Sequence, residues 1–206
     1  MLVADYASDG AMRATASVGA AAAERGLGPL MGKGHLAVTI DQGPDMERYQ
    51  GVTPIEGRTL EEAASAYFDQ SEQIPTAVKL AVGKVYRPGG GEEWRAGGVI
   101  VQFMPGEGGL RERGEAVLGS GDDEEAWSRA NAFLNTTQAD ELLDPGLRAE
   151  DLLYRLFHED GVRVFEARPL AARCSCNADK IAVVLSRYAP EDLAGMADDG
   201  RIKVSC

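Results

Sequence analysis

Thr59-Leu60-Glu61-Glu62-Ala63-Ala64-Ser65-Ala66-Tyr67-Phe68 is the stretch around which the rest of the chain can be read. Its spacing predicts a helix. Thr59 and Glu62 make a capping-box pattern, with the Thr59 hydroxyl taking the Glu62 amide and the Glu62 carboxylate reaching back to the Thr59 amide. Leu60, Ala63, Ala64, Tyr67 and Phe68 recur at i, i+3, i+4, i+7 and i+8, which is one apolar stripe. Ile74-Pro75 stops the helix, because the residue before a proline is pushed toward extended backbone. On both sides the apolar period changes from helical to twofold. Leu36, Val38 and Ile40 alternate with Ala37, Thr39 and Asp41, and Glu47 to Val52 can pair with them across the turn Gln42-Gly43-Pro44-Asp45. Val78, Leu80 and Val82 alternate again. A helix set among strand pairs predicts an α+β fold, a β-sheet-rich core with packed helices.

Further out, Leu2 to Tyr6 and Met12 to Val18 are strand candidates around the turn residues Ser8-Asp9-Gly10. Pro88-Gly89-Gly90-Gly91 is a flexible loop leading into Gly98 to Met104, a run apolar on both faces and expected as a central strand. Gly106 to Gly121 is Gly-rich and polar, a loop or boundary. Asp122-Asp123-Glu124-Glu125 precedes a helical stretch to about Thr137, and the acidic run reads as compensation of the helix dipole rather than as a metal site. Leu152, Leu153, Leu156 and Phe157 mark a second short helix after Pro145-Gly146, and Val162 to Phe165 is expected as a strand. Asn177 can cap a helix whose face is Ile181, Val184, Leu185 and Tyr188. Pro190-Glu191-Asp192 opens another turn, Gly200 ends it, and Ile202-Lys203-Val204 reads as a brief strand before Cys206. The organisation expected is a core domain over 1–120, a helical linker over 121–173, and a small C-terminal module over 174–206. That module has too small a core to stand alone, and such a segment calls for a metal.

The chain has 206 residues, 21 basic against 33 acidic, and a net charge of −12. Its 44% apolar and 26% charged residues are ordinary for a folded domain. The acidic balance argues against a nucleic-acid phosphate binder. No apolar run approaches the ~18 residues of a membrane span, and Met1-Leu2-Val3-Ala4-Asp5-Tyr6 has no signal-peptide pattern, so a cytoplasmic location is expected. Both ends look cut, with residue 1 falling straight into a strand and residue 206 an odd cysteine.

Several chemical signatures fail. Gly28-Pro29-Leu30-Met31-Gly32-Lys33-Gly34 is one residue short of a phosphate loop, and Gly34 stands where Ser or Thr is required. His158-Glu159-Asp160-Gly161-Val162 starts like a zinc-protease motif without its second histidine, and His35 is the only other imidazole. The thiols differ. Cys174-Ser175-Cys176 and Cys206 are the only cysteines, all within 174–206 and flanked by Arg173, Ser175 and Asn177 rather than by apolar residues. A tetrahedral zinc takes four ligands, of which three are visible here, and the simplest completion is a C-x-x-C beginning at Cys206. Unliganded thiols are the other reading, while a structural disulfide suits a cytosolic setting poorly.

Here a resemblance enters. Tyr49-Gln50-Gly51-Val52-Thr53-Pro54-Ile55-Glu56-Gly57 and Tyr67-Phe68-Asp69-Gln70-Ser71-Glu72-Gln73-Ile74-Pro75-Thr76 are similar to the signature block of the bacterial 33 kDa chaperonin family, the redox-switched heat-shock holdases. Gly97 to Pro105, Leu152 to Glu159 and Cys174-Ser175-Cys176 follow in the same order, so the likeness covers essentially all of the chain. The resemblance implies a further N-terminal segment, and a fourth cysteine three positions after Cys206. It also implies Zn2+ on Cys174, Cys176 and Cys206 in the reduced state, and disulfides on oxidation. In these Cys174 pairs with Cys176, and Cys206 with the cysteine beyond the chain end.

What the resemblance implies functionally is a stress-response chaperone. Thiol oxidation and zinc release activate it, and it then binds unfolded or aggregation-prone client proteins. The apolar residues expected to hold clients are Leu152, Leu153, Leu156 and Phe157, and a homodimer is compatible with the oxidised state. No nucleic-acid or membrane partner and no catalytic residue is expected. The alternative class is a zinc-dependent or thiol oxidoreductase, which lacks here a thioredoxin-type C-x-x-C, a general base near the thiols and a cofactor loop.

Overall fold

The computed structural model describes residues 1–18, 33–43, 45–55, 59–86, 89–104, 121–174 and 176–204. In chain order the first strands are β1 (Leu2–Tyr6), β2 (Ala11–Ala16), β3 (His35–Ile40) and β4 (Tyr49–Pro54). Helix α1 (Leu60–Tyr67) then runs into a π-helical turn (Phe68–Glu72), followed by β5 (Thr76–Tyr86) and β6 (Glu92–Gln102). Helices α2 (Gly121–Asn135), α3 (Ala139–Leu143) and α4 (Ala149–Phe157) follow, then β7 (Ala171–Ala172), α5 (Ala178–Leu185) and α6 (Pro190–Met196). The architecture is α+β, as the alternation of periods predicts.

The chain forms two compact units, Gly19–Phe165 and a second made of Met1–Val18 with Glu166–Cys206. This grouping runs across the linear division at residues 120 and 173, because the N-terminal hairpin pairs with the segment leading to the cysteines.

In the first unit α1 forms as its capping box requires. The Thr59 hydroxyl accepts from the Glu62 amide at 3.1 Å, and the Glu62 carboxylate accepts from the Thr59 amide at 3.1 Å. Beyond Tyr67 the helix widens into the π-helical turn, which the apolar stripe does not foretell, and Gln73 ends it in left-handed backbone at φ 57°. β3 and β4 pair antiparallel, Leu36 opposite Thr53 and Val38 opposite Gly51. β5 and β6 form a long antiparallel hairpin in register from Thr76–Gln102 to Tyr86–Glu92. Helices α1 and α3 pack against β5, and α3 also against β6. Gly97 permits this approach, since a Cβ there would meet the Leu142 backbone carbonyl. The core of this unit centres on Ala63, Tyr67, Ala81, Leu134, Leu152 and Leu156.

Three strand expectations need correction. Gly98 to Met104 is not a central strand, for β6 pairs only with β5 among the described residues. One face carries the helices, and the even-numbered face is open, with Ile100 51% and Trp94 71% exposed. The apolar character on both sides therefore does not mean burial on both sides. Val162 to Phe165 and Ile202 to Val204 form no ladder either, since no strand edge lies alongside them among the described residues.

In the second unit β1 and β2 form a hairpin, Leu2 opposite Ala16 and Tyr6 opposite Met12. β7 adds to β2 in parallel, Ala11 against Ala171 and Met12 against Ala172. Asn177 caps α5 as expected, its side-chain oxygen accepting from the Lys180 amide at 2.8 Å. Pro190 opens α6 at a position where its missing N–H costs nothing.

Candidate functional site

The thiols sit where the chain leaves β7. The β1–β2 turn prepares the seat. Gly10 adopts φ 87°, and a side chain there would collide with the Pro169 carbonyl oxygen. With that space open, the Ala171 amide donates to the Gly10 carbonyl at 2.9 Å and the Arg173 amide to the Met12 carbonyl at 3.2 Å. The Arg173 guanidinium pairs with the Asp9 carboxylate. The Ala11 amide, and after it the Arg173 guanidinium, hold the Asp9 carboxyl below its usual range.

One residue on, the backbone delivers Cys174 and Cys176 to a single cation. Arg13 Nη1 donates to Cys174 Sγ and to Cys176 Sγ, each at 3.3 Å. The other edge of the guanidinium is fixed by Asp5, directly across the ladder, which accepts from Nε at 3.0 Å and Nη2 at 2.9 Å. The Cys176 amide also donates to Cys174 Sγ at 3.2 Å. Both cysteines are exposed and are not joined to each other by a disulfide. The arrangement gathers two soft sulfur donors at a surface that an oxidant or a metal can reach, the donor chemistry that zinc takes. Cys206 and Ser175 lie outside the described residues, and no group of three or more His, Cys, Asp or Glu side chains converges among those described. The residues present thus fit zinc in donor type, and two of the expected ligands are seen to be held together.

Sequence reasoning missed Arg13 and Asp5. The only available signal was their placement opposite one another in a predicted hairpin, and nothing in the sequence ties that hairpin to the cysteines.

Leu152 and Leu156, the centre of the expected client-binding group, are buried at 6% and 4% exposure; Leu153 and Phe157 are half-buried. Phe157 meets Phe133 of α2 edge-on, with ring centroids 6.2 Å apart. In this state α4 is a packing helix. Apolar surface is instead presented by the open face of the β5–β6 hairpin, where Leu80, Val82, Tyr86, Trp94 and Ile100 are exposed.

The residues of the signature block pack together. Tyr49 and Tyr67 both donate to Glu72 Oε1, at 2.9 and 2.6 Å. Burial first, and the Glu72 carboxylate after it, push the Tyr67 phenol up to about 12. Gly51 faces this group, and a Cβ there would crowd the Ser71 hydroxyl and the Tyr67 ring. The block is thus a structural knot rather than a reactive centre. Of the two histidines, His35 is exposed on β3, while His158 lies just past α4 with Nδ1 3.2 Å from the Tyr154 carbonyl. The phosphate-loop look-alike at 28–34 falls largely outside the described residues. Among the described residues no helix is long and apolar enough to cross a membrane.

Comparison with known proteins agrees with this geometry. The Hsp33 protein family matches over residues 1–206. The 33 kDa chaperonin of Caulobacter vibrioides is 44% identical over 214 residues, taking in 100% of this chain and 67% of that protein. That of Neisseria meningitidis serogroup B is 36% identical over 210 residues, with 100% and 62% covered. The crystal structure of the 33 kDa chaperonin (heat shock protein 33 homolog) from Thermotoga maritima shares the fold. Its TM-score is 0.66 at 22% identity, over 95% of this chain and 62% of that one. The chain spans about two thirds of the length of the curated relatives it matches. A match over every residue, with the C-x-C thiols and the Tyr-Gln-Gly block in place, makes this chain a member of the Hsp33 family.

Proposed function

We propose that the chain is a redox-regulated molecular chaperone, a cytoplasmic holdase that binds unfolding proteins under oxidative stress without turnover. The observation that carries the reading is the exposed Cys174–Cys176 pair held on Arg13, within a chain that matches the family throughout. Cys174, Cys176 and Cys206 would hold Zn2+ in the reduced state. When bound to a small module, structural zinc supplies roughly 10–16 kcal/mol of apparent binding free energy to its folding.

The chain's own residues account for the rest. Exposed sulfurs with N–H donors aimed at them are accessible to peroxide or hypochlorite. A disulfide between Cys174 and Cys176 closes a ring across one residue, and takes both sulfurs out of thiolate chemistry. Among the described residues the segment 166–206 is held to the hairpin by a two-residue ladder, one surface ion pair and the Arg13–thiol contacts, so it is poorly defended against such a change. The open face of β5–β6 offers clients an apolar surface, and Leu152, Leu153, Leu156 and Phe157 would join it once α4 loosens.

The test uses the full chain, reduced or treated with hydrogen peroxide, mixed with a heat-labile enzyme whose aggregation is followed by light scattering. Only the oxidised sample should suppress aggregation. If aggregation proceeds unchanged while the chain catalytically reduces a small disulfide substrate, the chaperone reading fails in favour of a thiol oxidoreductase.

A further inference from the structure

The geometry points to Arg13 as the residue that reads the oxidation state of the thiol pair and passes it to the β-sheet. This rests on the redox reading of Cys174 and Cys176, and adds to it a route into the fold. The guanidinium is already oriented before it meets sulfur. Asp5 occupies Nε and Nη2 at 3.0 and 2.9 Å, which leaves Nη1 directed at Cys174 Sγ and Cys176 Sγ, 3.3 Å from each. Arg13 is also part of β2, the strand on which β7 rests. Between β7 and the first thiol stands Arg173, whose amide donates to the Met12 carbonyl and whose guanidinium holds Asp9. Sulfur, guanidinium and parallel ladder thus form one continuous patch within a single compact unit.

The parallel ladder is too short to persist unaided. It consists of Ala11 against Ala171 and Met12 against Ala172, two small register pairs with both β7 residues exposed. The contacts flanking it supply the remaining hold, and the thiol contact is the one that redox chemistry can remove. With hydrogen peroxide as the oxidant, one cysteine sulfur attacks a peroxide oxygen. The O–O bond breaks, a sulfenic acid forms, and hydroxide leaves to become water. The second sulfur attacks the sulfenic sulfur, the S–O bond breaks, and a second water departs once protonated. Two thiols and one peroxide give one disulfide and two waters, the thiols losing two electrons and the peroxide gaining them. Disulfide sulfurs are poor acceptors for N–H donors, and ring closure across Ser175 reshapes the backbone that runs directly out of Arg173. Arg13 loses its two sulfur partners, and β7 loses the anchor at its C-terminal end. Arg13 is a positioning residue in this scheme and touches no substrate.

Hydrogen exchange on the full chain tests the coupling, with the Ala171 and Arg173 amides as reporters and the Ala7 and Ser17 amides of the hairpin as controls. In the unmodified chain, peroxide oxidation should lower protection at Ala171 and Arg173 by about tenfold, the scale of losing a hydrogen bond to a charged group. The controls should stay as they were. Arg13→Met should show the lowered protection already when reduced, with no further change on oxidation. Arg13→Lys keeps the charge but not the fork, and should fall between the two. Equal protection of Ala171 and Arg173 in the reduced and oxidised unmodified chain would overturn the coupling. So would a reduced Arg13→Met variant that keeps full protection and loses it only on oxidation. Light scattering on the same oxidised samples separates this idea from the chaperone reading. Suppression of aggregation without any change at β7 sinks the Arg13 route alone. The expected exchange pattern without suppression upholds that route and sinks the holdase.

Discussion

Gly51→Ala should destabilise the chain far more than an added methyl group suggests, and part of that loss should vanish when Tyr67 is shortened as well. A Cβ at residue 51 would stand 2.7 Å from the Tyr67 hydroxyl and 3.0 Å from its Cε2, with the Ser71 hydroxyl closer still. Ser71 can turn its side chain away. Tyr67 cannot, being 1% exposed, a core residue and held by a 2.6 Å hydrogen bond to Glu72. Overpacking in a well-packed site costs about 1–3 kcal/mol, and breaking a hydrogen bond to a carboxylate about 1.5–3 kcal/mol. Together they give a loss of about 2.5–6 kcal/mol, or a fall in Tm on the order of 5–20 °C for a chain of this size. Tyr67→Phe alone gives up the hydroxyl and should cost about 1–2 kcal/mol, since Tyr49 still donates to Glu72. The double variant removes the atom that the new methyl strikes, so its cost should fall short of the sum by at least about 1 kcal/mol. Urea unfolding followed by far-ultraviolet circular dichroism measures all four corners of the cycle. Additivity to within about 0.5 kcal/mol would refute the claim that Gly51 exists to admit Tyr67.

The same cluster predicts a titration. Tyr67 should stay protonated until about 12, so phenolate absorbance should contain a late component that Tyr67→Phe removes. Because its folded value is raised, its contribution to stability is complete below the unfolded value near ~10 and declines as pH rises from there through about 12; a stability flat across that window would contradict the burial. On α4, Leu156→Ala should cost about 2–5 kcal/mol because the residue is 4% exposed, while Tyr154→Ala, 65% exposed, should stay within about 0.5 kcal/mol. Equal effects in thermal unfolding would mean that α4 does not pack as described.

What could be read from the chain follows how local the cause is. The capping box at Thr59, the Asn177 cap and the β1–β2 turn rest on interactions spanning a few residues, and all three form. The π-helical turn after Tyr67 does not follow from the apolar stripe; its last residue, Glu72, accepts from Tyr49 of β4, a partner remote in sequence. The β6 strand was expected to be buried on both faces, since Val99, Ile100 and Val101 are apolar in succession. Among the described residues the β5–β6 hairpin has no third strand and no second layer on its even face, and hydropathy carries no count of neighbours. Val164 and Ile202 fail as strands for a related reason, since β propensity without an adjoining edge makes no ladder. At the thiols the ligand type was legible in Cys174 and Cys176 from composition and spacing. Their cation was not, because Arg13 reaches them only through a parallel pairing far away in sequence.

That pairing also sets an order of events in synthesis. β2 and β7 are separated by roughly 150 residues, which a ribosome working at about 5–20 residues per second adds in roughly 8–30 s. Through that interval the hairpin has one uncompleted edge, and the intervening unit is free to fold first. The thiols emerge only after their receiving cation has been made and placed. A polypeptide arrested before residue 171 therefore carries Arg13 and Asp5 without a sulfur to engage. The third strand and the two cysteines arrive together, so the sheet closes in the same step that the thiols meet Arg13.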